Sequence, residues 1–139
     1  MTLLIQVQIF GQVLLAALLS ALIGLDRERR DKSAGLRTHM LAGIGACACT
    51  AVGMFAFPEA DTSRVAAAVV SGIGFLGAGV IFHSEEGAHD LTTAASIWVT
   101  AAVGIVVGVG AWLLAIAMTV TIWIILAILH AFEERFIES

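Results

Sequence analysis

Three acids and five bases crowd into one short stretch, Gly24-Leu-Asp-Arg-Glu-Arg-Arg-Asp-Lys-Ser-Ala-Gly-Leu-Arg-Thr-His39, set between two long apolar runs. Asp26, Arg27, Glu28, Lys32, Arg37, Thr38 and His39 form its candidate functional cluster. Asp26 and Glu28 follow an apolar run directly, so they lie near a boundary where an uncompensated carboxylate is costly. Two chemistries fit such a pair. The carboxylates can be neutralised by bases such as Arg37, or they can hold a hydrated Mg2+, which binds through one or two carboxylates and keeps several waters. The bases farther out can reach anionic lipid head groups. His39, and His83 and His89 in a second, acidic segment, could join a metal site, although no zinc-type spacing is present.

A second block, Ser71-Gly-Ile-Gly-Phe-Leu-Gly-Ala-Gly-Val-Ile-Phe82, carries a G-x-G-x-x-G at Gly72, Gly74 and Gly77, with Gly79 following. Glycines at this spacing can cradle a pyrophosphate where a strand turns into a helix, or let two membrane helices approach closely. A third pattern places small or polar residues four apart: Thr92, Ser96, Thr100, Gly104 and Gly108, with Thr93 beside them. Gly45, Cys49 and Gly53 repeat it, flanked by Gly43 and Cys47, and Gln8, Gln12, Ala16, Ser20 and Gly24 run toward Glu28. Such stripes pack helices together, or they could line a polar path for an ion. No acid or base stands in the middle of a run, which weighs against proton-coupled transport.

The elements that must hold these residues follow from the apolar runs. The chain has 139 residues, 60% hydrophobic and 13% charged. Soluble domains carry about 25% charged residues, so lipid must be the solvent for most of this surface. Runs cover about 3–25, 39–57 and 65–82, then one unbroken stretch over 91–129. About 20 helical residues cross a bilayer, so the last stretch must fold back, and Gly108-Val109-Gly110 is the cheapest place to turn. The expected fold is an all-α integral membrane bundle, compact and rich in Gly and Ala. Its five spans lie at about 3–25, 39–57, 65–82, 91–109 and 111–130, in a single domain covering 1–139 without a C-terminal cytoplasmic domain. The third span is the shortest and the one least bound to be a regular helix. The first loop holds five of the seven Lys and Arg residues, which places it in the cytoplasm. The N-terminus is then outside and the C-terminus inside.

This frame settles the glycine block. Every other segment is a span, so no residues remain to build a nucleotide-binding sheet, and the glycines are expected to pack helices. Gly72, Gly74, Gly77, Gly79, Gly104 and Gly108 form that packing set. The first run is too long, with Gln6, Gln8 and Gln12 too early, for a cleaved leader. Cys47 and Cys49 point to different sides of a helix and are poorly placed for a disulfide. Trp112 takes an interfacial position after the turn, whereas Trp98 and Trp123 are expected to pack. No nucleophile–base arrangement is visible, so the chain is expected not to be an enzyme, to need no cofactor beyond weakly held Mg2+, and not to bind nucleic acid.

Together the blocks GLDRERRDKSAGLRTHMLAGIGA, SGIGFLGAGVIF and LTTAASIWVTAAVG resemble the MgtC/SapB family of bacterial membrane proteins, from about Ile23 to Gly104. The resemblance implies a multi-pass protein of the bacterial inner membrane, five spans with an external N-terminus, and a link to magnesium-limited growth and to survival within macrophages. It implies a regulator of other membrane machinery, including the F-type ATP synthase; the alternative is a Mg2+ transporter or channel. Membrane lipids and a second copy of the chain, first as a dimer, are the expected partners. Two departures stand out. His89-Asp90 occupies the place where members commonly carry Arg-Gly, and Thr92 stands where some carry Asn.

Overall fold

The computed structural model describes residues 1–82 and 88–136. They form five helices: α1 (Leu3–Arg29), α2 (Leu36–Ala56), α3 (Ser63–Phe82), α4 (Ala88–Gly108) and α5 (Trp112–Phe136). The first four are long and apolar enough to cross a membrane, and Trp112–Ile128 of α5 is a shorter apolar stretch. Large apolar side chains such as Phe10, Leu14, Leu18, Leu41, Phe75, Leu113 and Ile128 are exposed around the bundle. A surface of that kind suits lipid as the solvent.

Two helix ends explain the tight corners. After α1, Asp31 takes a left-handed conformation with φ 51. Its N–H donates to the Glu28 carbonyl, and the Lys32 N–H reaches back to the Arg27 carbonyl. After α4, Gly110 does the same with φ 86, its N–H donating to Val107 while Ala111 donates to Val106. Both are six-to-one, five-to-two closures that satisfy the last carbonyls of a helix. Of the two glycines expected to make the second turn, Gly110 makes it and Gly108 is still helical.

The first connection is shorter than the apolar pattern suggested. α1 continues through Asp26–Arg29 and α2 begins at Leu36, because Arg and Glu are good helix formers and need no lipid to stay helical. The third helix, expected to be the least regular, runs unbroken for 20 residues. Asp61 helps start it by accepting the Ser63 N–H at 3.1 Å.

The helices pack as a central trio with one helix on either flank. α1 and α2 form an antiparallel hairpin, in which Gly24 meets Leu36 and His39, and Gly43 meets Ser20. α4 runs antiparallel to α1, joined by Arg27 to Thr93 at one end and Gln12 to Val107 at the other. It therefore runs parallel to α2. α5 closes one apolar cluster with Ala16, Leu19, Cys47, Val103, Val107 and Ala115. α3 contributes Ile73 to a second cluster with Ala42, Ala46, Ile97 and Ala101.

A candidate functional site where three helices meet

Successive residues on a helix point about 100° apart, so Asp26, Arg27 and Glu28 face three different directions. Arg27 points inward. It is 2% exposed, and its Nη2 donates to the Thr93 hydroxyl on α4 at 3.1 Å, while its Nε is buried without a hydrogen-bond partner. The charges acting on it are the acids Asp26 and Asp90 and the base Arg30. Asp26 turns sideways and pairs with Arg30, one helical turn on, at 3.0 Å; its second carboxylate oxygen is buried without a hydrogen-bond partner. Glu28 is exposed, and its Oε2 accepts the Leu36 N–H at 2.8 Å. That carboxylate starts α2 in place of a side-chain cap, since the residue before Leu36 is Gly35. A Cβ at Gly35 would push the Glu28 carboxylate out of this position.

His39 is fully buried on α2. Its Nδ1 lies 2.8 Å from the Gly35 carbonyl and its Nε2 3.0 Å from the Ser96 hydroxyl. Ser96 donates to the Thr93 carbonyl at 2.7 Å, and Thr100 donates to the Ser96 carbonyl at 2.7 Å. Arg27, Thr93, Ser96, His39 and Gly35 thus form one connected polar assembly across α1, α2 and α4. The Ser33 hydroxyl donates to Asp90 and fastens the α1–α2 corner to the start of α4. Gly24 makes the assembly possible: a Cβ there would lie 2.9 Å from the Leu36 Cα and 3.0 Å from the His39 Cβ.

The remaining expected residues fall elsewhere. Arg37 and Thr38 are exposed on the outer side of α2, and Lys32 is half-buried in the corner. Arg37 forms no ion pair among the described residues. It does not neutralise Asp26 or Glu28, because the continued helix supplies Arg30 to one and the α2 backbone to the other. Asp26 and Glu28 diverge rather than converge on one ion, and no group of three His, Cys, Asp or Glu among the described residues could hold a metal. His83 and the side chain of His89 lie outside the described residues. Thr92 is exposed, whereas Thr93, Ser96 and Thr100 are buried.

The glycines divide sharply. A Cβ at Gly108 would stand 2.8 Å from the Cys47 carbonyl oxygen, and one at Gly104 would strike the Gly43 carbonyl. Gly77 meets Ala94 at an ordinary 3.5 Å, while a Cβ at Gly72, Gly74 or Gly79 would meet nothing within 4 Å. Among the described residues these three do not bring α3 against another helix. On α2 the buried face is Gly43, Cys47 and Thr50, with Gly45 and Cys49 exposed. Trp98 and Trp123, expected to pack, are about half exposed and point outward.

Sequence reasoning missed Arg30, Ser33 and Gly35, and gave Gln12 only as one member of a polar stripe without its partner. The Asp26–Arg30 spacing, four apart with opposite charge, was a readable signal. Gln12 donates to the Val107 and Gly108 carbonyls at 3.1 and 3.2 Å, and nothing local in the sequence announces a bond spanning 95 residues.

Residues 13–135 match the MgtC family. YhiD of Escherichia coli (strain K12), whose name proposes it as a magnesium transporter, is 41% identical over 132 residues, covering 89% of this chain and 61% of that protein. Protein MgtC of Brucella abortus (strain 2308) is 44% identical over 110 residues, covering 79% of this chain and 45% of its own length. Protein MgtC of Salmonella typhimurium (strain LT2) is likewise 44% identical over 110 residues, with 47% of its length covered. The chain therefore spans between just under half and about three fifths of these curated relatives. No solved structure matches it.

Proposed function

The chain belongs to the MgtC family, and from that premise we propose that it is a non-enzymatic regulator of other membrane machinery, linked to magnesium-limited growth. Its setting in this reading is the bacterial inner membrane, crossed five times with the N-terminus outside and the C-terminus inside. Its partners are lipids, a second copy of the chain, and a membrane complex such as the F-type ATP synthase; in a pathogen the same role would serve survival within macrophages.

The observation that carries the regulator reading is the seam between α2 and α4. Gly104 and Gly108 bring the α4 backbone against Gly43 and Cys47, and Ser20, His39, Thr93, Ser96 and Thr100 fill the adjoining interior. A filled interior with a broad apolar exterior supports action through outer contacts. The second reading, a Mg2+ transporter or channel, draws on the name of the YhiD relative and on the buried polar residues between Arg27 and Thr100. Purified protein in liposomes loaded with a magnesium-sensitive dye separates the two. Flux equal to that of protein-free liposomes is expected; flux clearly above it would overturn the regulator reading in favour of the transporter. Recovery of the protein from native membranes at low magnesium should then bring a membrane partner with it.

A further inference from the structure

His39 and Arg27 sit in one polar assembly, Arg27 on the Thr93 hydroxyl and His39 on the Ser96 hydroxyl about one turn further along α4. Nδ1 faces the Gly35 carbonyl, which can only accept, so Nδ1 carries a proton in both charge states. Nε2 faces the Ser96 hydroxyl, and that hydroxyl also faces the Thr93 carbonyl. With a neutral imidazole, the single Ser96 proton has two acceptors before it. With a protonated imidazole, Nε2–H donates to Ser96 and Ser96 donates to Thr93. Thr93 in turn holds Arg27 through its own hydroxyl. Adding the proton therefore sets a second cation beside the first in an interior where both residues are almost wholly buried, and like charges there repel with little screening.

We propose that His39 is a proton-operated latch: while its imidazole is neutral, Arg27 of α1 keeps its seat on Thr93 of α4, and protonation, which sets a second buried cation beside Arg27, loosens that seat and moves this end of α1 away from α4. The charged surroundings favour that outcome. From α1, Arg27 acts on His39 directly, while Asp26 is engaged with Arg30 and Glu28 with the Leu36 N–H. From α4, Asp90 takes the Ser33 hydroxyl. On α2 itself, Arg37 is exposed. α3, the remaining helix packed on α2, carries only Arg64, at the end where Val65 meets Gly53, far along α2 from His39. Among the described residues no carboxylate hydrogen-bonds the imidazole to offset the new charge.

The test uses the full chain with His83, His89 and His130 replaced by Gln, leaving His39 as its sole histidine, and with Cys47 and Cys49 replaced by Ala. Spin labels go on the exposed positions Arg29→Cys and Thr92→Cys, and the labelled protein is diluted with unlabelled protein in liposomes so that intrachain pairs are read. Between about pH 8 and about pH 5, the inter-label distance is expected to lengthen by about 2 Å, the scale of a helix shift. His39→Gln should keep the short distance at both pH values. An unchanged distance in the His39 chain, or the same lengthening in His39→Gln, overturns the latch. Should His39→Gln fail to fold, 15N spectra of the same sole-histidine chain decide. Nδ1–H at high pH and protonation of both nitrogens at low pH are expected; an Nε2–H neutral form, or an imidazole that stays neutral throughout, overturns it.

Discussion

Two glycine-rich surfaces of this molecule look alike in sequence and differ in what they do. The seam of α2 and α4 uses Gly43, Gly104 and Gly108 where one backbone touches another, and a methyl group on Gly104 or Gly108 would collide with a carbonyl. α3 has Gly72, Gly74 and Gly79 on its outer side, where a methyl group would meet no atom of the described residues within 4 Å. Glycine in a helix costs about 1 kcal/mol relative to Ala. The seam recovers that cost in close packing within the chain. On α3 any recovery must come from lipid or from another molecule. Glycine content alone therefore does not identify a helix contact; the position of the glycine relative to the buried face does.

The contrast is best broken at the seam. Gly104→Leu should cost about 3 kcal/mol, the upper end for overpacking a filled interior, read as loss of the folded protein from detergent extracts. Normal yield and an unchanged unfolding midpoint would show that α2 and α4 can separate freely. The next largest effect belongs to the polar assembly. Arg27→Ala removes a charged donor from the buried Thr93 hydroxyl and should destabilise by about 2 kcal/mol, whereas exposed Arg37→Ala should stay within about 0.5 kcal/mol. Equal losses in denaturant titrations would erase the distinction between the inner and outer sides of the cluster. On the other surface, Gly74→Leu should leave the isolated chain as stable as before or raise it by up to about 1 kcal/mol through helix propensity. If it lowers oligomer yield while the monomer stays folded, the outer face of α3 is where copies meet. The smallest effect is expected at the α1 corner. Asp31→Gly trades a strained left-handed residue for one that adopts it freely, a gain of about 0.5 kcal/mol after the entropy of glycine is subtracted, seen as a small rise in melting temperature.

Much of the fold was legible because hydrophobic run length and the cost of turning in lipid leave few choices. The α4–α5 turn, the helical character of the chain and the block of polar residues on α4 all follow from those two constraints. The errors in the site share one cause. A helix repeats every 3.6 residues, so a ladder of strict four-residue steps drifts around the axis. Ala16, Ser20 and Gly24 therefore lead on to Arg27 and not to Glu28, and the buried partner on α4 is Thr93 and not Thr92. The same drift moves the α2 face from Gly45 and Cys49 to Gly43 and Cys47. The corner was missed for a different reason. Polar residues do not end a helix, and Asp26–Arg29 remain on α1 because their backbone has nothing better to bond.

The antiparallel seating of α1 on α4 also has a consequence in time. Arg27 finds Thr93 66 residues later in the chain, and Gln12 finds Val107 95 residues later. At a synthesis rate of roughly 10 residues per second, the first helix waits on the order of several seconds for the fourth. Through that interval the long Arg27 side chain can keep its charge at the head groups. Its seat on Thr93 exists only once Thr93 has been made, so burying Arg27 there withdraws a cation from the membrane surface.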